Sequence, residues 1–193
     1  MGDYHKALLY YKKDLKISEI ALPPNHPSLT ISYNSIGLVY IGEVYTKMDK
    51  YSNALSWHEQ SLGVTKVALP PNHLGVACSY SNSGLVYDNM GEYSKALPRY
   101  ERSLETRKIA LPSNHPELAI SYNNIGALFM QMGEYSKALA LHERALEIKK
   151  MSRPPNHPSL TTSYFSIGLV CDNMRNTRKH FRTSKMARNT QRQ

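Results

Sequence analysis

A phrase of the form Pro-Xaa-Asn-His occurs four times in this chain, at residues 23–26, 70–73, 112–115 and 154–157. Two copies share the seven letters PPNHPSL, at residues 23–29 and 154–160. The histidines stand 47, 42 and 42 residues apart. A near-constant period of this length marks a repeat array, in which each unit buries its apolar face against its neighbours. Every motif must therefore be weighed as a column that recurs.

Residues 112–150 show what one unit contains. Leu118, Tyr122, Ile125 and Phe129 follow at spacings of four, three and four, which lays an apolar stripe along one helix face. Beyond Met132 and Gly133 the stripe resumes at Tyr135, Ala138, Leu139, His142, Ala145 and Leu146, giving a second amphipathic helix. Gly133 suits the left-handed residue that closes a helix, and so short a turn forces the two helices antiparallel. Gly126 and Ala138 are small enough to let the two backbones approach closely.

The recurring phrase falls between hairpins. Pro116 suits a first helical turn, with Asn114 or His115 before it as candidate cap, while the preceding prolines stop the incoming helix. His26, His73, His115 and His157 then stand on separate loops, roughly 10 Å apart at helix-packing distances. Zinc ligands converge within about 2 Å of one ion, so these histidines read as caps, and no metal or cofactor is implied.

Composition narrows the function. Seven of the 24 basic residues and none of the 15 acids lie after residue 174, so the first 174 residues carry only +2 of the net +9. A basic footprint for nucleic acid needs its charge on the folded surface, and this charge is in the tail. No apolar run approaches the ~20 residues that span a bilayer, and no signal peptide opens the chain. A cytoplasmic location is expected. Cys78 and Cys171 fall within apolar patterns and read as reduced core residues.

The stretch HPELAISYNNIGALFMQMGEYSKALALHERALEIKK, with Gly126, Gly133, Tyr135 and Ala138, resembles the tetratricopeptide repeat (TPR) in the 42-residue form of kinesin light chains. The resemblance runs over residues 1–174. It implies an all-α fold: a right-handed α-solenoid of stacked antiparallel helix hairpins, about eight helices in all, whose concave face binds peptides or partner proteins. In that family an Asn column on the first helices holds a peptide backbone. The column falls here on Ser35, Asn82, Asn124 and Ser166, and only the two Asn match. Its neighbour reads Asn34, Ser81, Asn123 and Phe165, and Asp88, Asn89, Gln131, Asp172 and Asn173 lie further along. The groove set expected from the resemblance is Asn34, Ser35, Asn82, Asp88, Asn89, Asn123, Asn124, Gln131, Ser166 and Asn173. An Asn amide both donates and accepts, so it can satisfy the N–H and C=O of an extended peptide. Kinesin light chains grip acidic peptides with Lys and Arg on first helices. Residues 73–90, 116–132 and 158–174 contain neither, so an acidic ligand does not follow.

The array is expected to divide at 1–22 (second helix of an incomplete repeat), 23–69 (a repeat with five extra residues), 70–111, 112–153, 154–174 (first helix of an incomplete repeat) and 175–193 (basic tail). The extra residues lie where IGLVY at 36–40 is followed by IGEVY at 41–45, which predicts a longer first helix with distorted stacking. The tail is expected to be mobile or weakly helical. One permitted coding of residues 174–182, read two bases later, translates as EEYSKALP, close to EYSKALP at 92–98. The tail thus reads as an out-of-frame copy of a lost second helix, which a transcript with incompatible codons would refute.

These features favour a noncatalytic protein-interaction scaffold with a peptide or protein ligand and no small-molecule substrate. Catalysis needs convergent groups with tuned ionisation, whereas the titratable residues recur with the array or fall on second helices expected to be exposed. Alternatives are a fragment of a larger TPR protein, either a kinesin light chain-like cargo adaptor or an interaction region fused to another domain, and binding of nucleic acid or an anionic membrane through the basic tail, although nucleic acid is not the expected partner. End-to-end self-association of the open ends is a further expectation.

Overall fold

The computed structural model describes residues 2–42 and 48–190. Among them are eight helices and no strand: α1 (Gly2–Ala21), α2 (Ser28–Gly42), α3 (Met48–Ala68), α4 (Leu74–Asn89), α5 (Tyr93–Ala110), α6 (Pro116–Gln131), α7 (Tyr135–Ser152) and α8 (Pro158–Thr190). The all-α class and the antiparallel hairpins follow the expectation from the repeat.

The imidazoles provide the caps. His73 and His115 hold extended backbone, and the Nδ1 of each accepts the N–H two residues on, from Gly75 at 3.0 Å and Glu117 at 3.2 Å. His26 and His157 accept likewise from Ser28 at 3.2 Å and Ser159 at 3.1 Å. A ring nitrogen thus plays the acceptor role usually filled by a Ser or Asp oxygen.

Glycine decides where a hairpin turns. Gly91 and Gly133 have φ of 74° and 78°, and the N–H after each reaches back to Tyr87 O and Phe129 O at 2.9 Å. An L side chain disfavours this conformation, so the position selects glycine. In the last repeat Arg175 stands there, and the helix does not stop at Met174: α8 runs for 33 residues, against 16 in α6. In the first full repeat Asp49 occupies the same place, and α3 opens early at Met48. The expected lengthening of α2 is not seen in its described part, which has 15 residues against 16 in α4. The rest of the five-residue insertion, 43–45, lies outside the described residues, as do 46 and 47, so the length of this helix beyond Gly42 is not described.

The chain divides into two units, Met1–Pro112 and Ser113–Gln193. In the first, each helix packs on the next in sequence and α2 also touches α4. Leu15 of α1 joins Leu29 and Ile36 of α2 in one apolar cluster, with Leu8, Tyr33, Tyr40 and Trp57 against it. Ser61 and Ser79 link α3 to α4 at 3.0 Å, and Ser103 Oγ of α5 donates to Ala77 O of α4 at 2.7 Å. In the second unit α7 packs between α6 and α8. Ile125, Leu128, Ala138, Ala145 and Ile148 are buried there, as are Leu160 and Val170 of α8.

Two expectations need correction. Cys171 is exposed and Cys78 only half-buried, so Cys171 is not a core residue; no second helix among the described residues covers that face of α8. Second helices also bury titratable groups: His58, His142 and Arg107 are 0%, 3% and 7% exposed.

Candidate peptide-binding surface

Each complete hairpin is closed by a ring lying on a glycine. A Cβ added to Gly37 would meet the His58 ring at 2.6 Å, one on Gly84 the Tyr100 ring at 2.9 Å, and one on Gly126 the His142 ring at 3.0 Å. Only a residue without Cβ leaves room for the ring, which is why glycine sits in the middle of these helices despite its cost there.

The rings carry matching polar partners. His58 Nδ1 and Asn34 Oδ1 are 3.1 Å apart, and His142 Nδ1 and Asn123 Oδ1 are also 3.1 Å apart. With the amide oxygen accepting, Nδ1 carries the proton and Nε2 presents its lone pair to the glycine. Burial pushes the His58 imidazole down to about 4. His142 moves the same way through burial and the charge of Lys149. In the middle hairpin Tyr100 OH donates instead to Asp88 at 3.5 Å, and burial followed by the Asp88 carboxylate raises its pKa. Asn34, Asn123 and Asp88, three of the residues expected in a groove, therefore face the second helices of their own hairpins.

The other seven are placed differently. Cys78, Asn82, Leu85 and Asn89 on α4 follow at spacings of four, three and four, as do Ile120, Asn124, Ala127 and Gln131 on α6, and Thr162, Ser166, Leu169 and Asn173 on α8. On α2 the counterpart begins Ile31, Ser35, Leu38. Such spacing puts each set on one helix face, about 100° from the glycine-side Asn column. Ser35, Asn82, Asn124, Ser166 and Asn173 are half-buried, and Asn89 and Gln131 are exposed. Among the described residues no hydrogen bond engages the amides of Asn82 or Asn124. Ser166 Oγ and Asn173 Nδ2 donate to carbonyls of their own helix, of Thr162 at 3.0 Å and Leu169 at 3.1 Å. Ile31, Leu38 and Ile120, flanking the polar positions, are 70%, 47% and 53% exposed. These apolar members were missed in the sequence, although their column could have been read off beside the Asn column.

The stripes carry no charge. Cations gather on another column: Lys66 and Arg99 lie over the Tyr80 ring at 5.3 and 6.0 Å, and Lys150 over Tyr164 at 5.5 Å. Among the described residues no three His, Cys, Asp or Glu side chains group as metal ligands, and no helix is long and apolar enough to cross a membrane.

Comparison with known proteins agrees with this geometry. One tetratricopeptide repeat profile matches residues 37–109 and 117–179, and a second matches residues 1–28. The chain belongs to the tetratricopeptide repeat family. Similar solved TPR structures include a kinesin light chain protein with nearly identical TPR-like repeats from Podosopora anserina, with a TM-score of 0.75 and 18% identity over 98% of this chain and 88% of that one. BtubC (BKLC) from P. vanneervenii has a TM-score of 0.77 and 21% identity, over 97% and 73% of the two chains. The apo form of RapI gives 0.71 and 19%, over 90% and 45%. At these identities the likeness is one of fold. No curated protein matches the chain in sequence. TPR hairpins support protein-interaction scaffolds in general, and this chain is built as one.

Proposed function

We propose that this TPR chain is a noncatalytic scaffold that holds an extended segment of a partner protein along the outward stripes of the first helices α2 and α4. The observation that carries the reading lies on α2 and α4: the half-buried Asn82 amide of α4 is engaged by no hydrogen bond among the described residues, and Ile31 and Leu38 on the α2 stripe are exposed. In the other unit α6 repeats the pattern with Asn124 and the exposed Ile120. An extended peptide offers alternating N–H and C=O groups to such amides, and its side chains meet the flanking Ile and Leu positions. The uncharged stripes favour a neutral peptide with apolar side chains over an acidic one. The first helices α2 and α4, in contact within one unit, give the peptide adjacent stripes.

The test is peptide selection on the intact chain, followed by anisotropy titration of the selected sequences. Neutral extended peptides are expected to win over acidic ones. Asn82→Ala should weaken binding about tenfold, the loss of roughly one hydrogen-bonded contact, with helicity unchanged. Unchanged affinity in the Asn82→Ala variant, or binding that vanishes when residues 175–193 are removed, would defeat the proposal.

A further inference from the structure

Gly168 breaks the pattern of the other first-helix glycines. A Cβ added there meets nothing within 4 Å, whereas at Gly37, Gly84 and Gly126 it would strike a ring from a second helix. Tyr164, Gly168 and Cys171 on α8 are all exposed, while their counterparts Tyr80, Gly84 and Tyr87 on α4 are half-buried or buried. A hairpin face thus lies open on α8.

The polar partners indicate which ring this face takes. First helices that receive His have Asn three residues before the glycine, as Asn34 and Asn123 show. The one that receives Tyr has Asp four residues after the glycine and Ser in place of Asn three before it: Gly84 is followed by Asp88 and preceded by Ser81. On α8 Asp172 stands four residues after Gly168, and Phe165 three before. The segment GLVCDNM at 168–174 differs from GLVYDNM at 84–90 in one letter. This face is made for a tyrosine-bearing second helix.

The helix α1 has the sequence of such a second helix, and its tyrosines are exposed. Residues 1–15 of the sequence, MGDYHKALLYYKKDL, align with MGEYSKALPRYERSL at 90–104, which sets Tyr4, Ala7 and Tyr11 of α1 at the places of Tyr93, Ala96 and Tyr100. In α5, Ala96 and Tyr100 are 0% and 3% exposed, whereas Tyr4 and Tyr11 are 48% and 39% exposed. A neighbouring side of α1 is already used, with Leu15 and Leu8 packed against α2, and Tyr11 stays exposed beside it.

We propose that α1 of one copy of this chain docks on α8 of another, completing a hairpin in trans, with the Tyr11 ring on Gly168 and the Tyr11 hydroxyl donating to Asp172. Donor face and acceptor face differ, so the contact is head-to-tail and propagates into chains of copies. The inference is independent of the peptide-binding reading.

Sedimentation equilibrium of the full chain over roughly micromolar to several hundred micromolar concentrations reads the association directly. The weight-average mass should rise with concentration. Gly168→Leu places a side chain in open space in the single copy but in the path of the docked ring. Tyr11→Ala removes that ring from an exposed site. Each should raise the dissociation constant at least about tenfold with helicity unchanged. Mixing the two variants supplies one intact α1 and one intact α8, so 1:1 pairs that grow no further are expected. A wild-type mass that stays monomeric throughout, self-association undiminished in either variant, or a mixture that stays monomeric would each overturn the proposal.

Discussion

The ring on the glycine governs what single residues tolerate. Gly37→Ala would drive a methyl into the His58 ring, which is held by Asn34 and fully buried. A net destabilisation of about 1–2 kcal/mol is expected, because overpacking outweighs the gain in helix propensity. Gly168→Ala should instead stabilise by up to about 1 kcal/mol, since the methyl meets open space and only the propensity gain remains. Urea midpoints of the two variants, measured at concentrations where the chain is monomeric, check the pair; shifts of the same sign would show that the ring yields. The imidazoles add a pH dependence. The His58 pKa drops from 6.5 unfolded to about 4 folded, so between those values the unfolded chain binds the extra proton. Stability is then full above about pH 6.5 and falls as pH is lowered, by about 3 kcal/mol at pH 4. His142, lowered by burial and by Lys149, acts in the same direction. Urea unfolding between pH 7 and 4.5 should show the loss, and His58→Phe should flatten it; parallel curves for the two proteins would count against this account.

Caps, turns and breakers set where each helix begins and ends. The four histidines start helices and the positive-φ glycines close two hairpins. These signals were legible in the sequence because they depend on residue type and local order. One of them conflicts with its surroundings: Pro98 lies inside α5, the sixth residue from Tyr93, where α7 has Ala140. Proline has no N–H for the carbonyl four residues back and crowds that carbonyl, so α5 forms in spite of it, held by Ala96, Tyr100 and Leu104 in the core. Pro98→Ala is accordingly expected to raise stability by about 1–3 kcal/mol and the melting temperature with it. A lower melting temperature would mean that the proline fits a locally adapted backbone.

At the level of the molecule, helices within each unit touch mainly their neighbours in sequence, as an array without a central core should. Charge is distributed with the same lack of a centre, with seven cations and no acids after residue 174. Weak duplex-DNA binding at low salt that disappears near physiological salt is expected of the full chain, and none of residues 1–174. Filter binding across a salt series checks this, and binding by residues 1–174 would move the basic surface into the repeats.

The sequence by itself determined the period, the two helices per repeat and the caps and turns between them, since each rests on local spacing or on what one residue's backbone can do. Which of the two Asn columns meets the second helix was decided only in the tertiary structure. Periodicity fixes the angle between Asn123 and Asn124 but not the direction in which either points, and the ring of His142 settles it by taking the first and leaving the second free of that contact. The pairing of Asn with His and of Asp with Tyr was present in the letters. Without contacts between helices, nothing connected residues 12 to 24 positions apart.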